Sequence, residues 1–185
     1  MEFIKEKLKL LAHKNYKYIE LLLGTQISDN IFDSRLSKTK FDNILNYFKN
    51  KLKKYNYKTI ISKNYEILNK RLNINEEFQQ RCFEQTLIDK TIYNNNINQY
   101  MVTFGEKKMI SIENFDINQD YDNINLKRVV SFNINKFYLN FITNKIEGNK
   151  DIIYNISIYI TKKNGKIKDI ITNLSTFLDV IDELS

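Results

Sequence analysis

The sequence has no proline and no tryptophan, and only one cysteine, one histidine and four glycines in 185 residues. Each scarcity closes off some chemistry. With Cys82 alone, no internal disulfide can form, which fits a reducing compartment. Its place beside Phe83 makes it a small core residue rather than a nucleophile. With His13 alone, histidine-based zinc sites and a Ser-His-Asp triad are excluded. The glycines, at 24, 105, 148 and 165, are too far apart for a phosphate-cradling loop or a dinucleotide fingerprint. No hydrophobic run approaches the ~20 residues of a membrane span. The charged opening, Met1-Glu-Phe-Ile-Lys-Glu-Lys7, is not that of a signal peptide. No membrane association is therefore expected. What remains open to catalysis is carboxylate chemistry with a hard metal ion.

Hydrophobic residues make up 42% and aromatics 13%, enough for a packed core. The net charge is +7, which suits a polyanionic partner, but no long lysine or arginine block appears and frequent lysine alone would also give it. Apolar spacing predicts a short helix over 2–14, a strand over 17–23 and a loop from Gly24 to Ser37. A clear helix follows from Thr39, its expected N-cap, to about Lys54, with Phe41, Ile44, Leu45, Phe48 and Leu52 on one face. Strands are expected at 57–62 and 65–73 around a turn at Asn64. Asn75-Glu76-Glu77 reads as the start of a helix running to about 88 and carrying Phe78, Cys82 and Leu87. Strands then follow at 99–105, 107–112, 125–134, 137–145 and 151–161, with a loop over 115–125 and a turn at Asn164-Gly165. A last helix has Ile167, Ile170, Ile171, Leu174, Phe177, Leu178 and Ile181 on one side. No linker or repeat divides the chain, so one domain over 1–185 is expected. The class is α+β, with a large, mostly antiparallel sheet that is either a closed barrel or an open sheet with helices on one face.

Three stretches in order resemble the RNA triphosphatase (triphosphate tunnel) domain of poxvirus-type and other large-DNA-virus mRNA capping enzymes. They are Tyr18-Ile-Glu-Leu-Leu-Leu-Gly-Thr25 with the Phe41–Phe48 helix, Lys127–Lys136 running into Tyr138–Thr143, and Tyr154–Ile160 with the closing helix. The resemblance implies a tunnel-like antiparallel β-barrel with flanking helices, in a freestanding version of the domain. In such a tunnel, glutamates of the first and last strands hold Mg²⁺ or Mn²⁺, and basic residues of other strands grip the triphosphate. Matched position by position, the first pair falls on Tyr18 and Glu20, and the last on Asn155 and Ser157. An aspartate of the preceding strand falls on Asn140 and its arginine on Tyr138. The arginine before the Ser-Phe pair falls on Val129, or on Arg128 after a one-residue shift, and Arg71 matches an earlier phosphate-gripping arginine.

Glu20, Arg71 and Arg128 are thus the residual tunnel candidates, and Tyr18, Asn155 and Ser157 are metal positions without their carboxylates. The resemblance implies a catalytically degenerate domain that binds or scaffolds, with no cofactor. Its partners would be RNA 5′ ends or capping and transcription proteins of a large DNA virus, in the cytoplasm, viral factory or virion. Two rivals stand beside it. One is an active Mg²⁺- or Mn²⁺-dependent mRNA 5′-triphosphatase with acids drawn from Glu66, Glu106 or Asp151. The other is a viral structural or host-interaction protein.

Overall fold

The computed structural model describes residues 1–11, 17–51, 57–68, 70–75, 79–114, 123–134, 137–161 and 166–185. His13 and the Asn164-Gly165 turn lie outside them. The described residues form three helices, α1 (Glu2–Leu10), α2 (Lys38–Lys51) and α3 (Ile167–Glu183). They also form nine strands: β1 (Lys17–Ser28), β2 (Ile31–Asp33), β3 (Tyr57–Ile67), β4 (Lys70–Asn75), β5 (Gln80–Asn95), β6 (Asn98–Ile110), β7 (Asn123–Ile134), β8 (Phe137–Ile146) and β9 (Ile152–Ile160). The strand order is β2-β1-β6-β5-β4-β3-β7-β8-β9, every pairing is antiparallel, and β1 also pairs with β9. That last pairing closes eight strands into a barrel and leaves β2 outside the ring. Of the two architectures open to the sequence, the closed barrel is the one formed.

Strand alternation gives the barrel two unlike faces. Ile19, Leu21 and Leu23 of β1, Val102 and Phe104 of β6, Phe132 of β7, Phe141 of β8 and Ile156, Ile158 and Ile160 of β9 point outward. They meet Leu8 of α1, Phe41, Ile44 and Phe48 of α2, and Ile170, Leu174, Leu178 and Ile181 of α3 in one core. Phe48 stacks on Phe177, and Phe41 and Phe132 meet the Phe141 ring edge-on. The hydrophobic core therefore lies between the helices and the outside of the barrel. The inward positions (even numbers on β1 and β3, odd numbers on β4, β6 and β7) carry the polar residues.

Three expected elements are corrected. Within the loop expected from Gly24 to Ser37, β1 continues to Ser28 and β2 pairs back on it. Of the helix expected over 75–88, Asn75 ends β4, Phe78 lies outside the described residues, and the stretch from Gln80 on is the first half of β5, paired with β6 from Cys82–Ile110 to Asn95–Asn98. Both faces of this strand carry mixed side chains, so its alternation is hidden, and sheet pairing overrides the helical spacing. Asn64 is not in a turn but in mid-β3, buried and paired opposite Asn73 and Asn125. Asparagine signals a turn only when its amide has no better partner, and a polar barrel interior supplies one. Smaller shifts concern boundaries. The two strands expected at 99–112 are the single strand β6. α2 begins at Lys38, where Lys40 N donates to Ser37 Oγ at 3.2 Å, so Ser37 takes the capping role expected of Thr39.

The Asn94–Asn96 tract closes the β5–β6 hairpin against the end of α3. Asp182, buried in the last turn of α3, accepts hydrogen bonds from Asn95 Nδ2 (3.0 Å), Ile97 N (3.2 Å) and Asn98 Nδ2. Asp179 accepts a further one from Asn95 Nδ2 at 3.2 Å. An acid at a helix C-terminus opposes the helix dipole, and these donors offset that cost. No helix among the described residues is long and apolar enough to cross a membrane.

Candidate functional site

An eight-stranded barrel has room inside for side chains or one small ligand. Here the interior opens into a cavity of about 530 Å³ lined by residues of β1, β3, β4, β5 and β6, among them Tyr18, Glu20, Glu66, Lys70, Arg71, Gln85, Thr103 and Lys107. Tyr18 and Glu20 share this face because they stand two residues apart on one strand. Arg71 faces Glu66 across the β3–β4 ladder, and its Nε lies 2.6 Å from Glu66 Oε1. Lys107 faces Gln85 and stands 4.1 Å from the centre of the Phe83 ring. Lys127, on the inward parity of β7 opposite Ser62, joins Arg71 and Lys107 as a third inward cation, while Lys70, of the opposite parity on β4, lines the cavity beside the exposed Leu68. Among the described residues, neither Lys107 nor Lys127 makes an ion pair.

The electrostatics follow from this crowding. Burial, reinforced by the positive charges of Arg71 and Lys127, brings the Lys107 ammonium down to about 8. Burial, then Arg71, also lowers Lys127, against the pull of Glu20 and Glu66. Cations forced together at such a cost are a charge trap for an anion. The tyrosines respond oppositely. Burial raises Tyr18 and Tyr159 above the ordinary phenol range, so both stay neutral hydrogen-bond donors.

Part of the remaining wall is a set of uncharged polar pairs. Asn73 Nδ2 donates to Asn64 Oδ1 at 2.7 Å, Asn64 Nδ2 to Asn125 Oδ1 at 3.2 Å, and Ser131 Oγ to Asn140 Oδ1 at 2.7 Å. At the seam between β1 and β9, Tyr18 stacks on Tyr159 with ring centroids 5.3 Å apart and planes at 24°. Gln85 Nε2 donates to the Tyr18 hydroxyl. Gly105 makes room for that ring: a Cβ there would lie 2.6 Å from the Tyr18 hydroxyl and 2.7 Å from the Thr86 carbonyl. Gly105→Ala should therefore displace Tyr18 and cost about 1–3 kcal/mol, measured by denaturant unfolding. Unchanged stability would show the ring to be free to move.

Tyr18, Glu20 and Arg71 line the cavity. Ser157 and Asn155 share the inward face of β9, but Asn155 Nδ2 is committed to Ser34, donating to its carbonyl at 2.8 Å and its Oγ at 3.0 Å. Asn155 thus anchors the segment after β2. Arg128 is not in the tunnel. It lines an outer cleft beside α2 with Lys38, Lys49 and Tyr154, and its neighbour Lys127 takes the inward position. The one-residue shift that offered Arg128 would reverse the faces of all of β7 and pull Phe132 from the core. Of the alternative acids, Glu66 is in the cavity. Glu106 pairs with Lys17 at 3.6 Å on the other face, and Asp151 is exposed before β9. Sequence reasoning missed Lys70, Lys107 and Lys127 as site residues. The parity of β6 relative to Val102 and Phe104 was the signal for Lys107, once those two are assigned to the core.

Comparison with solved structures agrees with this geometry. No protein-family model matches the sequence, and no curated protein sequence does. The S. pombe RNA triphosphatase Pct1 superposes with a TM-score of 0.77 over 99% of this chain and 89% of that one, at 12% identity. The chain has the triphosphate-tunnel fold. The Mimivirus capping enzyme triphosphatase superposes with a TM-score of 0.67 over 99% of this chain and 95% of that one, at 11% identity. Pct1 in complex with the Spt5 CTD gives 0.75 over 99% and 89%, at 10% identity. At these identities the likeness concerns the fold, and the chemistry has to be argued from the side chains.

Residues that would hold Mg²⁺ or Mn²⁺ in such a tunnel do not fit that role here. Hard cations want several oxygen ligands, carboxylates foremost. Among the described residues no group of three or more Asp, Glu, His or Cys side chains converges. Glu66 is held by Arg71, the β1–β9 seam presents ring faces, and the buried Ser157 Oγ, without a protein hydrogen-bond partner among the described residues, is neutral.

Proposed function

We propose that this triphosphate-tunnel domain binds RNA 5′-triphosphate ends without efficiently hydrolysing them. The observation that carries this reading is the charge balance of the tunnel: Arg71, Lys107 and Lys127 inside, with Lys70 beside the opening, against Glu20 and Glu66, and Glu66 engaged by Arg71. A triphosphate would bring the missing negative charge to Lys107 and Lys127 and offset their desolvation. The fold supplies the context, since the neighbours are RNA triphosphatases. Capping or transcription proteins are the second class of partner we infer, in line with the neighbour seen with the Spt5 CTD. Scaffolding in a viral transcription apparatus follows as the biological setting of this reading.

The test compares one RNA carrying a 5′-triphosphate with the same RNA carrying a 5′-hydroxyl, by fluorescence anisotropy over a salt series. The triphosphate end should bind at least about tenfold tighter, with a steep salt dependence from displaced counterions. Equal affinity for both ends would show that the tunnel does not take the phosphates.

A second reading, an active metal-dependent triphosphatase, is favoured by one specific observation: Glu20 and Glu66 line the same cavity. It requires Arg71 to release Glu66 when substrate enters. It predicts that Arg71→Ala, by freeing Glu66, leaves measurable phosphate release, whereas Glu66→Gln abolishes it.

A further inference from the structure

The tunnel's donor set differs in kind from one that takes a metal–phosphate complex. A carboxylate is an acceptor: beside a phosphate it repels unless a cation bridges the two. In this chain the inward positions of the first and last strands hold a single carboxylate, Glu20, beside three hydroxyls that can donate, those of Tyr18, Ser157 and Tyr159, and of these Tyr18 and Glu20 line the cavity. The Tyr18 hydroxyl accepts from Gln85, which leaves its own hydrogen for another acceptor. Tyr18 and Tyr159 fill the β1–β9 seam with stacked rings, so a cation there would meet carbon in place of oxygen ligands. Glu20 lines the cavity without an ion-pair partner among the described residues, close enough to act on both Lys107 and Lys127.

We infer that the tunnel takes its polyphosphate as the bare anion, gripped directly by lysine, arginine and hydroxyl donors, and that divalent cations are competitors for the ligand rather than bridges to the protein. This rests on the polyphosphate-binding reading above and adds the ionic form of the ligand. Two consequences separate it from a bridged mode. Chelating divalent cations should not weaken binding, whereas millimolar Mg²⁺, which binds polyphosphate in solution, should. Glu20 should act as a residual repulsive charge. Its removal should then tighten binding, whereas the loss of a metal ligand would weaken it.

The experiment is calorimetric titration of the intact chain with inorganic tripolyphosphate in EDTA, in Mg²⁺ and in Mn²⁺, for the native protein and for Glu20→Gln. The expected result is full affinity in EDTA, a loss in either metal, and about three- to tenfold tighter binding by Glu20→Gln, the scale of removing one like charge from a partly buried site. Glutamine keeps the size of the side chain, and its thermal unfolding would confirm that the fold is intact. Binding only in Mg²⁺ or Mn²⁺, weakened by Glu20→Gln, would overturn the inference and leave the polyphosphate-binding reading standing. No binding under any condition by folded protein would overturn both.

Discussion

Replacing Lys107 and Lys127 together by alanine should lower affinity for 5′-triphosphate RNA by about two to three orders of magnitude. A hydrogen bond between charged groups contributes roughly ten- to a hundredfold, and two on one ligand fall somewhat short of additive. The same variant should be no less stable than the native protein. Both lysines are held in a crowded positive interior where burial and Arg71 disfavour their charged forms, so removing them relieves a cost of folding. A fall in binding with an unchanged or higher Tm marks residues kept for a ligand. A fall in both would make them structural.

The pH dependence carries the same signature. The Lys107 ammonium is brought down to about 8 from an ordinary value of 10.5. Between these values the unfolded chain keeps a proton that the folded chain has lost, so this group's contribution to stability rises with pH from about 8 to 10.5. Binding runs the other way: polyphosphate affinity should fall as pH passes through about 8, because the neutral amine cannot grip an anion. Titrations from pH 7 to 9.5 at fixed ionic strength check this, and Lys107→Arg, which keeps its charge, should flatten the profile.

The second large effect lies far from the tunnel. Asp182→Ala should destabilise the fold by about 3 kcal/mol, because the side-chain amides of Asn95 and Asn98 and the amide of Ile97 lose one buried, charged acceptor together. At this chain length the loss corresponds to roughly 6–12 °C in Tm. Asp42→Ala is the control. It breaks the exposed Lys38–Asp42 pair on α2, and solvent screens an exposed pair of this spacing so that its loss should leave stability almost unchanged. If both variants unfold at the same denaturant concentration, the clamp between α3 and the β5–β6 hairpin contributes nothing.

Asp182 also shows what the sequence conceals. The stripe of α3 is plain in Ile170, Leu174, Leu178 and Ile181, since a helix on a core must repeat its apolar residues every three or four positions. The acid among them reads as a solvated helix end until the hairpin that donates to it is in place. β7, β8 and β9 were legible because one face is apolar and the other is not. β5 was not, because neither of its faces is covered along its length. Closure of the ring rests on the β1–β9 pairing, between strands over a hundred residues apart, which no local pattern encodes.

The site was half legible for the same reason. Tyr18 and Glu20 follow from the parity of Ile19, Leu21 and Leu23, and Arg71 from its neighbour Leu72. Lys107 and Lys127 look like any of the many lysines in the chain. Only the register that turns Phe104 and Phe132 outward to the helices turns these two inward. Arg128 shows the converse: a residue attractive by type is on the wrong face by one position.

The proposed function is binding of a triphosphate end without its cleavage. Its most direct test is release of γ-phosphate from 5′-triphosphate RNA, with Mg²⁺ or Mn²⁺, by protein already shown to bind that RNA. The expected result is no turnover above the protein-free control, with Glu20→Ala indistinguishable from native. Robust release by the native protein, abolished in Glu20→Ala, would contradict it and show that Glu20 and its neighbours assemble a working centre.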